Sequence, residues 1–286
     1  MPFEEEKGPN STTGDPNAHF YLGHAHLENA RWADAVREFQ AVIQATPENA
    51  AAHFALGVAY RKQERVEDAI HQFKTALRLN PEYAEAHFSL GLAFWQQKRW
   101  YDALREFQAT IHINPADAEA HRSLAWIYAQ RGLLEEAAEA YTQALRIDPD
   151  NAHTHYSLGV ICAQRGKLND AINEFQATLA ITPNDVRAHF GLGVAYRRLG
   201  YFDDAIDAYK AALRIRPDDA RTRFGMGVAY RKQGLLKDAV REYLAALRVN
   251  PQYAEAHNNL AIAYKELHRL DDAIREAENA VELGYE

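Results

Sequence analysis

Cysteine is almost missing from this chain: Cys162 is the only one in 286 residues, beside two methionines. A lone thiol forms no intramolecular disulfide and no cysteine-rich zinc site, which suits a reducing compartment. No apolar run approaches the ~20 residues that span a membrane. The opening Met1-Pro2-Phe3-Glu4-Glu5-Glu6-Lys7 has neither the basic nor the apolar region of a secretory signal, so a cytoplasmic location without membrane insertion is expected. Positive charge is not in excess: 32 Lys and Arg stand against 40 Asp and Glu, a net −8. Such a chain does not coat nucleic acid or anionic lipid non-specifically. Also missing are a glycine-rich phosphate loop, a nucleophile elbow and a His-Glu-x-x-His run. The expectation is a protein that is not an enzyme, with no cofactor and no metal. What is present is average: 47% hydrophobic and 25% charged residues exclude a disordered or collagen-like chain, and the length permits a sizeable core.

The prolines reveal the organisation. Pro47, Pro81, Pro115, Pro149, Pro183, Pro217 and Pro251 are each 34 residues from the next. Units then begin at residues 16, 50, 84, 118, 152, 186, 220 and 254. Position 7 of each is Leu22, Leu56, Leu90, Leu124, Leu158, Leu192, Met226 and Leu260, and position 8 is Gly except at Ala125 and Ala261. Position 20 is Ala in all eight units, from Ala35 to Ala273. Position 24 is aromatic from Phe39 to Tyr243, then Ala277.

This pattern resembles the tetratricopeptide repeat family, in which Leu-Gly, Tyr, Ala-x3-Phe and Pro recur at these places. The resemblance covers residues 16–286, with units 16–49, 50–83, 84–117, 118–151, 152–185, 186–219, 220–253 and 254–286. One departure is systematic. The family's position-4 Trp is His19, His53, His87, His121, His155, His189 and His257, with Arg223 in the seventh unit. The resemblance implies an all-α, right-handed superhelical solenoid of antiparallel helix hairpins that binds protein or peptide segments in a concave groove.

Helical geometry gives the same picture. Positions 4, 7, 8 and 11 share one face of a first helix, A, and positions 20, 24 and 27 one face of a second, B. Position 15 marks the turn between them. It is glycine in four units but Ala30, Glu64, Lys98 or His268 elsewhere, which costs about 1 kcal/mol if the turn is left-handed. Proline at position 32 ends helix B. One hairpin cannot bury both faces alone, so the units must stack.

Residues 1–15 read as a flexible acidic tail. The eighth unit reads as a cap, because Asn258 and Asn259 replace groove-side residues, Ala277 replaces the position-24 aromatic, and Glu276, Glu278 and Glu282 load helix B with charge. The alternative is that the chain continues in a longer protein. The position-4 histidines are expected to fill the Trp slot against helix B with a hydrogen bond to spare. Helices ~8–10 Å apart cannot converge matching imidazoles on one ion at about 2.1 Å. Cys162 replaces a core tyrosine and is expected to be buried and inert.

Positions 2, 5, 9, 12 and 13 lie on the far side of helix A, where the family binds partners. Here that side is apolar at Phe54, Val58, Phe88, Trp95, Tyr156, Phe190, Val194, Phe224 and Val228. These side chains either pack on the neighbouring helix A or floor a peptide groove. Arg61, Lys62, Arg197, Arg198, Arg231, Lys232 and Lys265 add positive charge at positions 12 and 13, with Arg187 and Arg221 at position 2. The expected partner is a protein or peptide segment, acidic and partly apolar. The lysine–asparagine clamp of chaperone-binding members and the asparagine ladder of sugar-transferase members do not match this face. Three alternatives remain open: a self-assembling scaffold, the regulatory region of a larger enzyme, and an RNA-binding repeat, the last opposed by overall acidity.

Overall fold

The computed structural model describes residues 14–285; the acidic segment Glu4–Glu6 lies outside the described residues. Among the described residues the chain is all α. The helices pair as hairpins: α1 (Pro16–Glu28) with α2 (Trp32–Ala45), α3 (Ala50–Lys62) with α4 (Val66–Leu79), and α5 (Ala84–Gln96) with α6 (Trp100–Ile113). Next come α7 (Ala118–Gln130) and α8 (Leu134–Ile147), α9 (Ala152–Gln164) and α10 (Leu168–Ile181), and α11 (Val186–Leu199) and α12 (Phe202–Ile215). The series ends with α13 (Ala220–Lys232) and α14 (Leu236–Val249), then α15 (Ala254–Glu266) and α16 (Leu270–Glu282). Odd-numbered helices occupy the A place and even-numbered ones the B place. The chain divides into two compact units, one ending at Ile127 and the other starting at Tyr128, within α7.

Local sequence explains the boundaries. Asn49, Asn151 and Asp219 cap α3, α9 and α13 with side chains that accept backbone N–H groups the helix leaves unpaired. Each B helix stops short of its proline. Asn80, before Pro81, is extended at φ −137°, ψ 94°, as steric clash with the proline ring requires. Each A helix ends in a left-handed residue at position 15. Glu64 N–H donates to the Arg61 carbonyl and Arg65 N–H to that of Tyr60, the paired bonds of a Schellman motif. Glycine holds the left-handed place at Gly132, Gly166, Gly200 and Gly234, but Ala30, Glu64, Lys98 and His268 adopt φ of 55°, 62°, 60° and 59°. The sequence's conditional penalty is therefore real at these four turns. Lys98→Gly is expected to raise stability by about 1 kcal/mol, measured as a denaturant midpoint shift at constant slope. An unchanged or lowered midpoint would refute it.

Within each unit, successive hairpins stack B against A, as α2 on α3 or α10 on α11, while A helices also meet along one side, as α9 with α11. The position-24 ring holds each stack together. A Cβ on Gly159 would stand 2.8 Å from the Phe175 ring, and one on Gly191, in the next hairpin, 2.7 Å from it. Phe175 thus fills a slot between α9 and α11 that only two glycines leave open. Tyr209 fills the same slot between Gly193 and Gly225.

The position-4 histidines tie each hairpin to the preceding turn. His87 Nδ1 lies 2.7 Å from Glu106 Oε2 and Nε2 lies 3.0 Å from the Pro81 carbonyl. His155 and His257 repeat this with Glu174 and Glu276. In the second hairpin Gln72 replaces the carboxylate, and in the seventh Arg223 replaces the imidazole, reaching both Glu242 and the Pro217 carbonyl. Among the described residues no group of three His, Cys, Asp or Glu is placed to hold a metal, and no helix is long and apolar enough to cross a membrane. Cys162 is buried, which pushes its thiol up to about 11 and leaves it protonated at neutral pH.

The cap expected at the C-terminal end is corrected by the structure. Glu276 turns inward to His257 and is buried, while Leu270, Ile274, Ala277 and Val281 form an exposed stripe on α16. The outer face of that helix is apolar, where a cap would be polar.

Candidate functional site: the A-helix face

The aromatic side chains of this face meet rings of their own hairpin. The Phe54, Tyr156, Phe190 and Phe224 rings stand 5.9, 5.8, 6.0 and 5.9 Å from the position-24 rings of Phe73, Phe175, Tyr209 and Tyr243. Phe88 does the same with Phe107 at 5.5 Å. Side chains of this face also meet the neighbouring helix A: Phe190 and Val194 adjoin a core that includes Met226 and Ala229 of α13. The next hairpin adds a lid from its N-terminal edge. Tyr83 covers Phe54 at 4.9 Å and Tyr253 covers Phe224 at 5.0 Å. At two other stacks arginines take this role: Arg187 lies 4.6 Å over Tyr156 and Arg221 5.3 Å over Phe190. Cation–ring attraction and ring burial both favour these stacks.

Two clefts open beside the stacks. The first, about 210 Å³, lies between α9 and α11 and is lined by Tyr156, Val160, Phe175, Phe190, Val194 and Arg198 among others. The second, about 350 Å³, is lined by Tyr156, Val186, Arg187, Phe190, Arg216, Asp219 and Arg221. They share Tyr156, Arg187 and Phe190, so the arginine-on-tyrosine stack divides one continuous apolar and basic surface.

Charge on this surface is sorted by pairing. Arg187 binds Asp185 at 2.7 Å, which holds the Asp185 carboxyl below its usual range and raises the guanidinium. Asp219 is occupied by the Arg221 N–H and the Thr222 hydroxyl. The guanidinium of Arg221 lies over the Phe190 ring, and Arg198 donates to the Ala163 carbonyl at 2.8 Å. Arg198, Arg216 and Arg221 thus have no carboxylate partner among the described residues.

The position-12 arginines, which the spacing places on the partner-facing side, are not fully exposed. Arg61, Arg197 and Arg231 are half-buried, each with an Nε that has no hydrogen-bond partner. Burial lowers the pKa of Arg61. Arg231 is tied to Glu266 at 3.0 Å. Burial pushes the Tyr243 hydroxyl up to about 12, with Arg231 opposing the rise, and Arg197 does the same beside Tyr209. Lys232 and Lys265 remain exposed. Val228 packs against the core around Tyr243.

In the first unit, Val58 is half-buried on α3, and Lys62 lies 5.8 Å over the Trp32 ring. Trp95, exposed, joins Trp126 at 5.3 Å and Trp100 at 6.5 Å in a three-ring cluster. The structure therefore does not gather all the expected site residues in one place. It brings Tyr156, Phe190, Val194, Arg198 and Arg221 together around the clefts. Sequence reasoning missed Arg216. It sits at position 31, between helix end and proline, where no helical face assigns it a side.

Comparisons with known proteins follow the same lines. A family profile described as TPR repeat matches residues 59–98, 125–163 and 227–267. One described as tetratricopeptide repeat matches 21–73 and 156–220. No curated protein matches the sequence. Among solved structures the fold is similar to YrrB, described as a TPR protein with an unusual peptide-binding site, at TM-score 0.60 and 21% identity over 64% of this chain and 95% of that one. It is similar to the MamA protein at TM-score 0.58 and 25% identity, over 61% and 96%. PilF of Pseudomonas aeruginosa gives TM-score 0.61 and 16% identity, over 77% and 96%.

Proposed function

We propose that this chain, which belongs to the tetratricopeptide repeat family, is a protein-interaction scaffold that captures an acidic, partly apolar peptide on the A-helix face of its second unit. The observation that carries this reading is the set of arginines without carboxylate partners, Arg198, Arg216 and Arg221, around clefts walled by Tyr156, Phe190 and Val194. A carboxylate-bearing segment would supply the missing anions, and a leucine or aromatic side chain would fill the smaller cleft. A peptide partner also agrees with the printed description of YrrB, whose fold is similar. Nucleic acid is disfavoured by the net charge of −8. Exposed Lys232 extends the positive surface along α13, while half-buried Arg197 and Arg231 serve mainly to hold the hairpins.

The test is Arg198→Glu, Arg221→Glu and Lys232→Glu together, assayed against an array of acidic peptides with apolar anchors. Arg197 and Arg231 are left intact because their reversal would bury a negative charge. Each lost charge-assisted contact is worth about 1.5–3 kcal/mol, so retention should fall by at least roughly tenfold per contact. Equal retention by wild type and a normally folded variant would reject the assigned surface.

A further inference from the structure

We propose that copies of this chain stack end to end, the outer face of α16 in one molecule covering the outer face of α1 in the next. This surface is separate from the peptide clefts and does not depend on them.

The inference starts from side chains that should be buried and are not. At positions 17, 21 and 28, α16 presents Leu270, Ile274 and Val281, which are 60%, 58% and 69% exposed. Ala277 lies exposed between them, so the spacing of four, three and four residues keeps all four on one helical face. The same places one hairpin earlier are Leu236, Val240 and Leu247, and Val240 and Leu247 are only 9% exposed. What covers them is the next A helix: Val240, Tyr243 and Leu247 pack in one core with Ala256, Leu260 and Ala263 of α15. The α16 stripe is thus half of an interface that the array repeats internally.

The other half is on α1. The counterparts of Ala256, Leu260 and Ala263 are Ala18, Leu22 and Ala25. All three are exposed, Leu22 by 46%, whereas Leu260 is fully buried. Tyr21 beside them is 75% exposed. The two small alanines leave the notches into which B-helix side chains fit, so α1 accepts a B helix in the way α15 accepts α14. A second α16 offers a single exposed alanine, Ala277, between larger side chains, where α1 offers two beside Leu22. A second copy of this chain therefore fits the α16 stripe through unlike surfaces, and an unlike pair can continue beyond a dimer.

The experiment is sedimentation velocity of the full chain over a wide concentration range, with two variants. Ile274→Glu with Val281→Glu closes the α16 face, and Leu22→Glu closes the α1 face. All three positions are exposed, and unchanged helical circular dichroism and melting establish that both variants fold. Wild type should show an average mass that climbs with concentration past a dimer. Each variant alone should remain a monomer. Mixed in equal amounts they should form a dimer and nothing larger, because one free α16 meets one free α1. A wild type that stays monomeric overturns the proposal. So does self-association that survives Leu22→Glu, which would mean α16 pairing with itself. Arg221→Glu should leave assembly unchanged; its loss there would place the second copy in the clefts instead.

Discussion

Replacing Phe175 with alanine is expected to cost about 3–5 kcal/mol, the range for deleting a fully enclosed aromatic side chain. The ring is 2% exposed and wedged between the backbones of α9 and α11, close enough to Gly159 and Gly191 that neither tolerates a Cβ without movement. Removing it opens a cavity whose walls are helix backbones, which relax little, so the cost should lie high in the range. Its effect should also be local, because each hairpin contacts only its neighbours and stability is nearly a sum over them. The chain carries its own reporter for this. Trp32, Trp95, Trp100 and Trp126 all lie in the first unit, whereas Phe175 lies in the second. Denaturant unfolding of Phe175→Ala should therefore show an early loss of far-ultraviolet circular dichroism while the tryptophan fluorescence transition stays near its wild-type midpoint. Coincident, equally shifted transitions would show that the two units unfold as one and would reject the local account.

The second large effect is one of pH. Both ring nitrogens of His87 face acceptors, the Glu106 carboxylate and the Pro81 carbonyl, and only the protonated imidazole donates to both. The hydrogen bond to Glu106 accordingly raises the pKa of His87, against the lowering effect of burial, with the Pro81 bond assisting. A histidine raised above its unfolded value stabilises fully below that value, near 6.5. The contribution is lost as pH climbs through the higher folded pKa. Glu106→Gln keeps a hydrogen-bond acceptor, as the His53–Gln72 pair shows, but removes the charge. At pH 6 this variant should be less stable by about 1.5–3 kcal/mol, the range for a hydrogen bond to a charged group. The difference should shrink toward pH 8. Tryptophan fluorescence in the first unit reads both. A constant difference between the two pH values would remove the ion pair as its cause.

Much of this architecture is legible in the sequence because the period is strict. A proline every 34 residues places the ends of the B helices, and a left-handed place every 34 residues sets the turns even where Lys98 or Glu64 must strain to fill it. The position-8 glycines foretell close helix approach, and the slots around Phe175 and Tyr209 realise it. These features are local or repeat locally, so spacing and backbone sterics suffice to read them.

The candidate surface is less legible. Position on a helix says which way a side chain leaves the backbone, not where a long one ends. Arg197 and Arg198 are adjacent in sequence, yet one lies half-buried beside Tyr209 while the other reaches across to the Ala163 carbonyl at the rim of a cleft. Glu276 looks like a solvent-facing charge of a cap until His257 draws it inward and leaves Ile274 and Val281 to the outside.

The sequence by itself determined the repeat, the hairpins, the turn strain and the family, because each depends on residues close together in the chain or one period apart. Only the tertiary structure decided which arginines lack partners and which apolar faces lack covers. Pairing and burial belong to neighbours in space, and for a side chain several bonds long those neighbours are chosen by packing.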